Sequence, residues 1–429
     1  MADPAELRAR ILALTREYAE ARPRPAFSPG KTPVPPSGKV IDADDLVALV
    51  DASLDGWLTA GRFATDLERA LAARVGARAA FFVNSGSSAN LLAVAALTSP
   101  TLGDRRLLPG DEVITVAAGF PTTVNPILQS GLVPVFIDSE PGTWNVDAEK
   151  IEAAIGPRTK AMIFAHTLGN PFDLDRIGEI AARRGLWLVE DACDAMGATW
   201  RGRPIGSFGH LATASFYPAH QMTTGEGGAV FVNEPGLRRA VESLRDWGRD
   251  CWCEPGHDDT CKKRFGWKLG DLPAGYDHKY TYSHIGYNLK ATDMQAAIGL
   301  SQLAKLDGFV AARKRNFERL HAALQPHADR VVLPRWSPNA APSWFGYPIA
   351  VRNRPRVVAG LEAAKIGTRL LFGGNLLRQP AYADVPRRVP APITVADRIL
   401  HEVLWVGVFP GLDDARMDWI AERLVELVR

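Results

Sequence analysis

A histidine in a glycine-rich stretch is the residue of this sequence best placed to do chemistry. His220 lies in SFYPAHQMTTGEGGAVF, residues 215–231, which predicts a strand end, a turn and the start of a new strand. The glycines that follow it permit positive φ angles or close backbone approach. An imidazole, with an unperturbed pKa of about 6.5, can take up a proton at working pH. Most glycine-rich turns have no catalytic function, so a functional role for this stretch requires other site residues close to it in the fold.

Polar residues follow four other predicted strands. The segment NSGSSAN, residues 84–90, precedes a helix, where free N–H groups and serine hydroxyls suit either a phosphate or a simple N-cap. Asp191 follows a buried apolar strand and needs a cation, a donor or a protonated ring nitrogen as its partner. His166 is either a satisfied, half-buried histidine or a site residue. Phe120 either stacks on a flat ligand or packs in the core.

The cysteines form a second candidate centre. Cys193, Cys251, Cys253 and Cys261 have the spacing C-x57-C-x1-C-x7-C, and four cysteines are too few for a disulfide scaffold in 429 residues. Four thiolates suit a 2Fe–2S cluster or a structural zinc ion, although a C-x-C pair with one remote ligand is poor zinc spacing. Unpaired thiols are the third alternative. Because Cys193 lies two residues after Asp191, the spacing favours electron delivery near the group that Asp191 binds.

Composition excludes several other functions. The chain has 46% hydrophobic and 23% charged residues, as expected for a globular enzyme of two lobes. A net charge of +2 without a clustered basic face argues against nucleic-acid binding. The first 21 residues predict a charged amphipathic helix, not a signal peptide, and no run of about 18 apolar residues occurs. We therefore expect no membrane segment and a cytoplasmic location.

The elements that position these residues alternate between helices and short apolar strands from residue 63 onward. This alternation predicts an α/β fold with a largely parallel sheet covered on both faces, and a site at the carboxyl ends of its strands. Helices are predicted at 1–22, 42–60 and 294–324, and a Pro-rich connector at 21–40. The predicted domains are an N-terminal helix and arm (1–55), a large cofactor-binding domain (56–310) with an insertion at about 245–280, and a small α+β domain (311–429).

Six motifs in order, NSGSSAN, GFPTTVNP, AHTLGNP, EDACDAMG, SFYPAH and GYNLKATDMQAAIG, resemble the DegT/DnrJ/EryC1/StrS sugar aminotransferases. The resemblance runs from about residue 40 to the C-terminus. It implies the fold-type I architecture of pyridoxal phosphate enzymes, with a mostly parallel seven-stranded sheet. It also implies a homodimer in which Asn288 reaches the cofactor phosphate of the other subunit. The remaining cofactor contacts that it implies are Gly86, Ser87, Ser88, Phe120, His166, Asp191 and Ser215.

His220 departs from that family, which holds its cofactor through a Schiff base on a lysine at this position. A histidine cannot form that bond, so the expected cofactor is pyridoxamine phosphate (PMP), and proton abstraction from its C4′ replaces transamination. An inactive homologue is the alternative. Tyr217 is expected to assist proton transfer, or merely packs. Asp194 is expected to tune the ring hydroxyl O3′, or is a solvated acid at a helix start.

Longer sequence segments resemble those of the iron–sulfur 3-dehydrases of 3,6-dideoxyhexose biosynthesis within that family. Among them are VPPSGKVI, RDWGRDCWC and GYDHKYTYSHIGYNL. This implies a 2Fe–2S cluster on the four cysteines and an NAD(P)H-dependent flavin iron–sulfur reductase as partner. The implied substrate is a nucleotide-linked 4-keto-6-deoxyhexose that loses its C3 hydroxyl, with CDP as the expected nucleotide and dTDP as the alternative.

Other functions also stay open at this point. They are an aminotransferase, a lysine-free dehydratase that regenerates PMP from glutamate, and a non-catalytic metal-binding homologue. Substrate contacts are expected at 343–346 and 368–372, where an arginine suits a diphosphate.

Overall fold

The helices follow the pattern that the sequence predicts. A computed structural model describes residues 3–23, 26–253 and 256–429, so two residues of the predicted connector and two of the predicted insertion lie outside the described residues. The helices are α1 (Pro4–Glu20), α2 (Ala43–Leu54), α3 (Arg62–Val75), α4 (Gly86–Leu97), α5 (Pro121–Gln129), α6 (Ile151–Ala154), α7 (Leu174–Arg184), α8 (Arg238–Arg245), α9 (Asp293–Leu324), α10 (Arg354–Ala363), α11 (Val395–Glu402) and α12 (Asp414–Val428). The predicted helices at the N-terminus and around residue 300 are confirmed as α1, α2 and α9.

Seven strands form the central sheet, in the order β1-β9-β8-β5-β4-β2-β3. The strands are β1 (Ala79–Val83), β2 (Glu112–Val116), β3 (Val133–Ile137), β4 (Thr159–Ala165), β5 (Trp187–Asp191), β6 (Thr199–Trp200), β7 (Arg203–Pro204), β8 (Leu211–Ser215), β9 (Gly228–Val232), β10 (Val331–Val332), β11 (Ala340–Ala341), β12 (Gly346–Val351), β13 (Arg369–Leu370) and β14 (Val403–Gly407). Strands β3, β2, β4, β5 and β8 are parallel, and β9 runs antiparallel to both β8 and β1. The predicted fold-type I architecture is confirmed.

Burial on both faces explains why the central strands lack an alternating pattern. Every residue of β2, β5, β8 and β9 is buried, because helices cover the sheet above and below. Helix α4 is itself almost wholly buried, and its alanines let it lie against β8, β9 and α5. It begins three residues after β1 ends, so its N-terminus sits at the carboxyl edge of the sheet.

A smaller sheet in the order β10-β12-β14-β13 forms the core of the C-terminal part, packed with α10, α11 and α12. Asp138, just after β3, ties this part to the large sheet. Its buried carboxylate accepts hydrogen bonds from the backbone N–H groups of Thr394, Val395 and Ala396, at 2.7 to 2.9 Å, at the start of α11. The long helix α9 packs on α2, α3 and α12 and so contacts both parts.

The segment between α8 and α9, residues 246–292, contains the predicted insertion. Its described residues form turns, a short 3-10 helix (His278–Tyr280) and isolated bridges, which pair Asp246 with Asn288 and Arg249 with Tyr282. In the described part of the chain, no helix combines the length and the apolar character that crossing a bilayer requires.

Candidate active site

A cavity of about 440 Å³ opens at the carboxyl edge of the large sheet, between it and the C-terminal part. Strand β5 contributes Asp191, the end of β8 contributes Ser215, and the turn after β8 contributes His220. The C-terminal part closes the other side. The lining includes most of the residues that the sequence selected: Gly86, Ser87, Phe120, Asp191, Cys193, Asp194, Ser215, Tyr217 and His220, joined by Phe345, Arg369, Phe372 and Trp405.

Three donors orient the Asp191 carboxylate. One oxygen, Oδ2, accepts from Asn90 Nδ2 at 2.9 Å and from Thr123 Oγ1 at 2.6 Å, while Oδ1 accepts from the backbone N–H of Cys193 at 3.1 Å. Asn90 is in turn fixed by the hydroxyl of Thr213, which donates to Asn90 Oδ1 at 2.6 Å. An oriented carboxylate at a cavity wall suits a protonated ring nitrogen, which is the partner that the sequence predicts.

The N-terminus of α4 contributes Gly86 and Ser87 to the cavity lining. Ser85 caps the helix by accepting from the N–H of Ser88 at 3.0 Å, so Ser88 serves the cap and does not line the cavity. The Ser87 hydroxyl contacts Thr122 Oγ1 at 3.1 Å, and both residues line the cavity. A side chain at Gly86 would place its Cβ only 2.4 Å from Ser215 Cβ. Free helix N–H groups beside two or three hydroxyls fit the phosphate of PMP.

His220 is held in a turn beside a carboxylate and an aromatic ring. Its N–H donates to the carbonyl of Tyr217 at 2.9 Å, and its imidazole lies 5.1 Å from the Phe345 ring. Its Nδ1 approaches Asp194 Oδ1 at 3.4 Å. The two groups are within ion-pair distance but lack hydrogen-bond geometry, and Nδ1 has no hydrogen-bond partner among the described residues. The arrangement leaves the imidazole ready to take up a proton that Asp194 would stabilise.

Two aromatic side chains stand at the mouth of the cavity. Phe120 is 47% exposed and contacts Phe372 edge to face, with ring centroids 6.1 Å apart. Tyr217 is 52% exposed, which shows that it does not simply pack in the core. Both rings have the exposure that contact with a bound flat molecule requires.

His166 does not line the cavity, and its contact with the cofactor stays a prediction. Its buried ring stacks on Phe172 at 4.1 Å, its Nδ1 accepts from the N–H of Phe172 at 3.3 Å, and its Nε2 lies 3.2 Å from Glu190 Oε2. Glu190 also accepts from the N–H of Gly206 at 2.9 Å and of Phe208 at 2.7 Å. The histidine therefore satisfies a buried carboxylate, which was the alternative left open by the sequence.

Asn288 lies outside this cavity as well. It is bridged to Asp246, and its Oδ1 accepts from Lys290 Nζ at 3.1 Å. The prediction concerns the cofactor of a second subunit, which a single chain does not test, so it stays a prediction.

The four cysteines fall into two places. Cys193 lines the cavity, where its Sγ lies 4.0 Å from Thr213 Oγ1. Removal from water and the neighbouring Asp191 raise the pKa of this thiol well above its ordinary value. The other three lie in the segment 246–292.

There Cys251 Sγ accepts from the N–H of Cys253 at 3.5 Å, and Cys253 Sγ accepts from Thr260 Oγ1 at 3.1 Å. Cys261 Sγ lies 4.0 Å from Nδ1 of His278, a buried residue that the sequence gave no reason to select. Over residues 3–23, 26–253 and 256–429, no three His, Cys, Asp or Glu side chains converge in a way that could hold a metal ion. Cys251, Cys253 and Cys261 nevertheless lie near one another, and a cluster that they would share with Cys193 stays a prediction.

Several contributors escaped the sequence reasoning. Asn90 belongs to NSGSSAN, but its distance of 101 residues from Asp191 hid their hydrogen bond. Thr123 lies in GFPTTVNP, a motif from which only Phe120 was selected. Arg313, which donates to the carbonyl of His220 at 2.9 Å, lies in the charged run ARKR of a long helix and was not selected from the sequence.

The sheet topology, the oriented carboxylate and the helix N-terminus at one edge define a fold-type I enzyme of the pyridoxal phosphate class. The chain belongs to the DegT/DnrJ/EryC1/StrS aminotransferase family, whose sequence pattern matches residues 39–425.

Three relatives extend this result. The chain is 54% identical over 426 residues to the lipopolysaccharide biosynthesis protein RfbH of Salmonella typhimurium, with 98% of each chain covered. It is also 54% identical over 424 residues to the dTDP-4-dehydro-2,6-dideoxy-D-glucose 3-dehydratase of Saccharopolyspora spinosa, covering 98% of this chain and 92% of that protein. Among solved structures, E. coli GDP-4-keto-6-deoxy-D-mannose-3-dehydratase with bound hydrated PLP is similar, with 27% identity, a TM-score of 0.82 and coverage of 91% and 99%.

Proposed function

We propose that this chain removes the C3 hydroxyl from a nucleotide-linked 4-keto-6-deoxy sugar, with PMP as its cofactor. The observation that carries the proposal is His220, which stands in the cavity at the position where the family's aminotransferases use lysine. Similarity to two proteins named as sugar 3-dehydratases supports the same reaction. The product belongs to deoxysugar formation, and the likeness to a lipopolysaccharide biosynthesis protein supports that setting.

The nucleotide that we propose is dTDP. The sequence predicts CDP as the nucleotide, with dTDP as the alternative. The 54% identical relative with a named substrate acts on a dTDP-linked sugar. That relative supports the alternative over the first expectation. CDP-6-deoxy-L-threo-D-glycero-4-hexulose, the substrate first expected, serves as the competing substrate in the test below.

The chemistry of the lining residues suits PMP. When bound, PMP supplies an amine that reacts with a ketone and a ring that withdraws electron density. Asp191 holds the ring nitrogen in its protonated form, and Ser87, Ser215 and the first N–H groups of α4 bind the phosphate. Phe120 covers one face of the ring, where its exposed side chain keeps water away.

His220 takes the proton from C4′ and holds it on the imidazole, as a general base close to neutral pH. Asp194, 3.4 Å from Nδ1, stabilises the imidazolium that results. The same histidine can return the proton to the departing C3 hydroxyl, which leaves as water. Tyr217 lines the cavity three residues earlier and assists this transfer.

Substrate binding falls to the C-terminal part. Arg369 lines the cavity and is exposed, and its Nη1 donates to the carbonyl of Thr368 at 2.8 Å. Its remaining donors are suited to a diphosphate, which guanidinium groups bind in a bidentate manner. Phe372 and Trp405 lie beside it and supply apolar surface for the sugar or the base.

The electron supply has two candidate forms. The cysteine spacing supports a 2Fe–2S cluster that receives electrons from an NAD(P)H-dependent flavin iron–sulfur reductase. In this form the protein is a homodimer in which Asn288 of each subunit reaches the cofactor phosphate of the other. The second candidate, which the sequence also left open, is a dehydratase without a cluster that regenerates PMP from glutamate.

One experiment separates these functions. The protein, purified without oxygen, is incubated with PMP and either the dTDP- or the CDP-linked 4-keto-6-deoxy sugar. One set of reactions receives glutamate, and another receives NADH with a flavin iron–sulfur reductase. We expect a 3-deoxy sugar by mass spectrometry, with the dTDP substrate preferred. Formation of a 4-amino sugar would contradict the proposal, and dependence on glutamate or on the reductase identifies the electron route.

A further inference from the structure

Arg313, in the middle of α9, is buried under the turn that carries His220. It is 1% exposed, and its Nη2 donates to the carbonyls of His220 at 2.9 Å and Ala219 at 3.3 Å. Its Nη1 donates to the carbonyls of Trp344 and Phe345, both at 3.2 Å. One guanidinium therefore joins four carbonyls in two chain segments that approach the cavity from opposite parts of the fold.

Burial of the Arg313 charge carries a desolvation free-energy cost. Within the described residues it forms no ion pair, and its Nε atom is buried without a hydrogen-bond partner. Burial lowers its pKa to about 10, and only the charge of Asp194 acts in the opposite direction. The side chain therefore stays protonated at neutral pH, at the expense of desolvation. Groups with strongly perturbed pKa values are often found at functional sites.

Arg313 fixes the positions of the groups that surround the His220 imidazole. The His220 ring has three constraints: the turn that supplies its backbone, the Asp194 carboxylate at 3.4 Å, and the Phe345 ring at 5.1 Å. The guanidinium binds the backbone of the turn and of Phe345 directly, and its charge attracts the Asp194 carboxylate.

We propose that Arg313 is a positioning residue for the general base His220. The inference rests on the proposed function of His220, and it adds a residue that does not touch the cofactor cavity. A planar guanidinium can reach carbonyls in both segments at once, whereas a lysine ammonium is a single point of donation. Lysine at 313 should therefore hold one segment and release the other.

The test compares Arg313→Ala and Arg313→Lys with Arg354→Ala. Arg354 is a matched control, because it also donates to backbone carbonyls, those of Ile399 and Val403, but lies away from the cavity. The rate at which C4′ hydrogens of bound PMP exchange with D2O in the presence of the dTDP-linked 4-keto-6-deoxy sugar is followed by NMR, together with PMP affinity and the thermal midpoint. Each measurement is repeated with added ethylguanidinium.

We expect Arg313→Ala to lower the exchange rate by about 100-fold, the loss that a displaced catalytic group causes. PMP affinity should change little, and ethylguanidinium should restore part of the rate in this variant alone. Arg313→Lys should be slower than the parent, and Arg354→Ala should match it. An unchanged rate in Arg313→Ala would overturn the proposal, as would a loss of PMP binding that accounts for the whole effect.

A second measurement keeps the inference separate from the reaction. The ¹⁵N signals of the His220 ring are identified by their absence in His220→Asn and then recorded in Arg313→Ala. We expect the single set of ring signals to broaden or split when the guanidinium is lost, whether or not C4′ exchange occurs. An unaltered, sharp set would overturn the positioning role, while absence of C4′ exchange in the parent protein would overturn only the proposed function.

Discussion

His220 Nδ1 lies 3.4 Å from Asp194 Oδ1, at the wall of a cavity that a second acid, Asp191, also lines. The two carboxylates have different surroundings. Asp191 is 4% exposed and accepts three hydrogen bonds, whereas Asp194 is only partly buried and faces the imidazole. Two acids in one cavity can therefore serve two roles, one toward a ring nitrogen and one toward the base.

Replacing Asp194 by asparagine tests the second role. Without the carboxylate, the imidazolium formed on proton abstraction loses a favourable charge, and a loss of about 1.4 kcal/mol corresponds to tenfold in rate. We expect C4′ exchange to slow by about tenfold or more in Asp194→Asn. Asp414→Asn, at an exposed acid far from the cavity, is the control and should leave the rate unchanged. Equal rates in the two variants would remove Asp194 from the mechanism.

The close approach of Gly86 and Ser215 predicts a steric effect. A Cβ at position 86 would lie 2.4 Å from Ser215 Cβ, so Gly86→Ala must shift the start of α4 or the end of β8. We expect a loss of about 1–3 kcal/mol in unfolding free energy and weaker PMP binding. Gly178→Ala is the matched control, since nothing lies within 4 Å of its Cβ position in α7. Denaturant unfolding of both variants checks the prediction.

The thiols should differ in reactivity in the metal-free protein. Removal from water and the charge of Asp191 raise the pKa of Cys193, so little thiolate is present at neutral pH. The pKa of Cys253 is lowered, because hydrogen bonds from Thr260 and Cys251 outweigh its desolvation. Alkylation at pH 7.5, followed by peptide mass spectrometry, should label Cys253 first and Cys193 last. Added PMP should slow labelling of Cys193 further, and equal labelling of all four would contradict the assigned surroundings.

Asp138 should make stability depend on acid pH. Although desolvation opposes it, the N–H groups of Val395, Thr394 and Ala396 hold the pKa of this carboxyl below its usual value. A lowered folded-state pKa means that the stabilisation is complete above the unfolded pKa, about 4, and is lost as the pH falls through the folded value.

Asp138→Asn should therefore cost about 1–3 kcal/mol at pH 7, and less than that at pH 3. Asp413→Asn, at an exposed cap of α12, should cost less. Chemical unfolding at the two pH values checks both variants, and a pH-independent loss in Asp138→Asn would show that the charge plays no part.

The sequence predicted the sheet and most of the cavity for a physical reason. Continuous apolar strands mark a buried parallel sheet, and polar residues at their ends must meet at one edge, which placed Asp191, Ser215 and His220 together. It could not predict the partners of the buried side chains. His166 and Glu190 are 24 residues apart, and only the fold shows that each satisfies the other.

Long-range contacts also explain the other features of the site that the sequence did not predict. Arg313 lies 93 residues from His220, in a helix whose charged run gives no sign that one face is buried under the cavity. The spacing of the cysteines predicted a cluster near the cofactor, yet it carries no information about where the segment 246–292 folds relative to Cys193. In the structure Cys193 lines the cavity and the other three cysteines do not, which the spacing alone could not indicate.

The central claim is that His220 removes the C4′ proton of PMP. It is tested most directly by comparing the parent protein with His220→Asn in D2O, each loaded with PMP and the dTDP-linked 4-keto-6-deoxy sugar, and following the C4′ hydrogens by NMR. We predict that one C4′ hydrogen exchanges in the parent and that exchange falls by at least about 100-fold in His220→Asn, within the range that general base catalysis contributes, while PMP affinity is retained. Equal exchange rates in the two proteins would contradict the account.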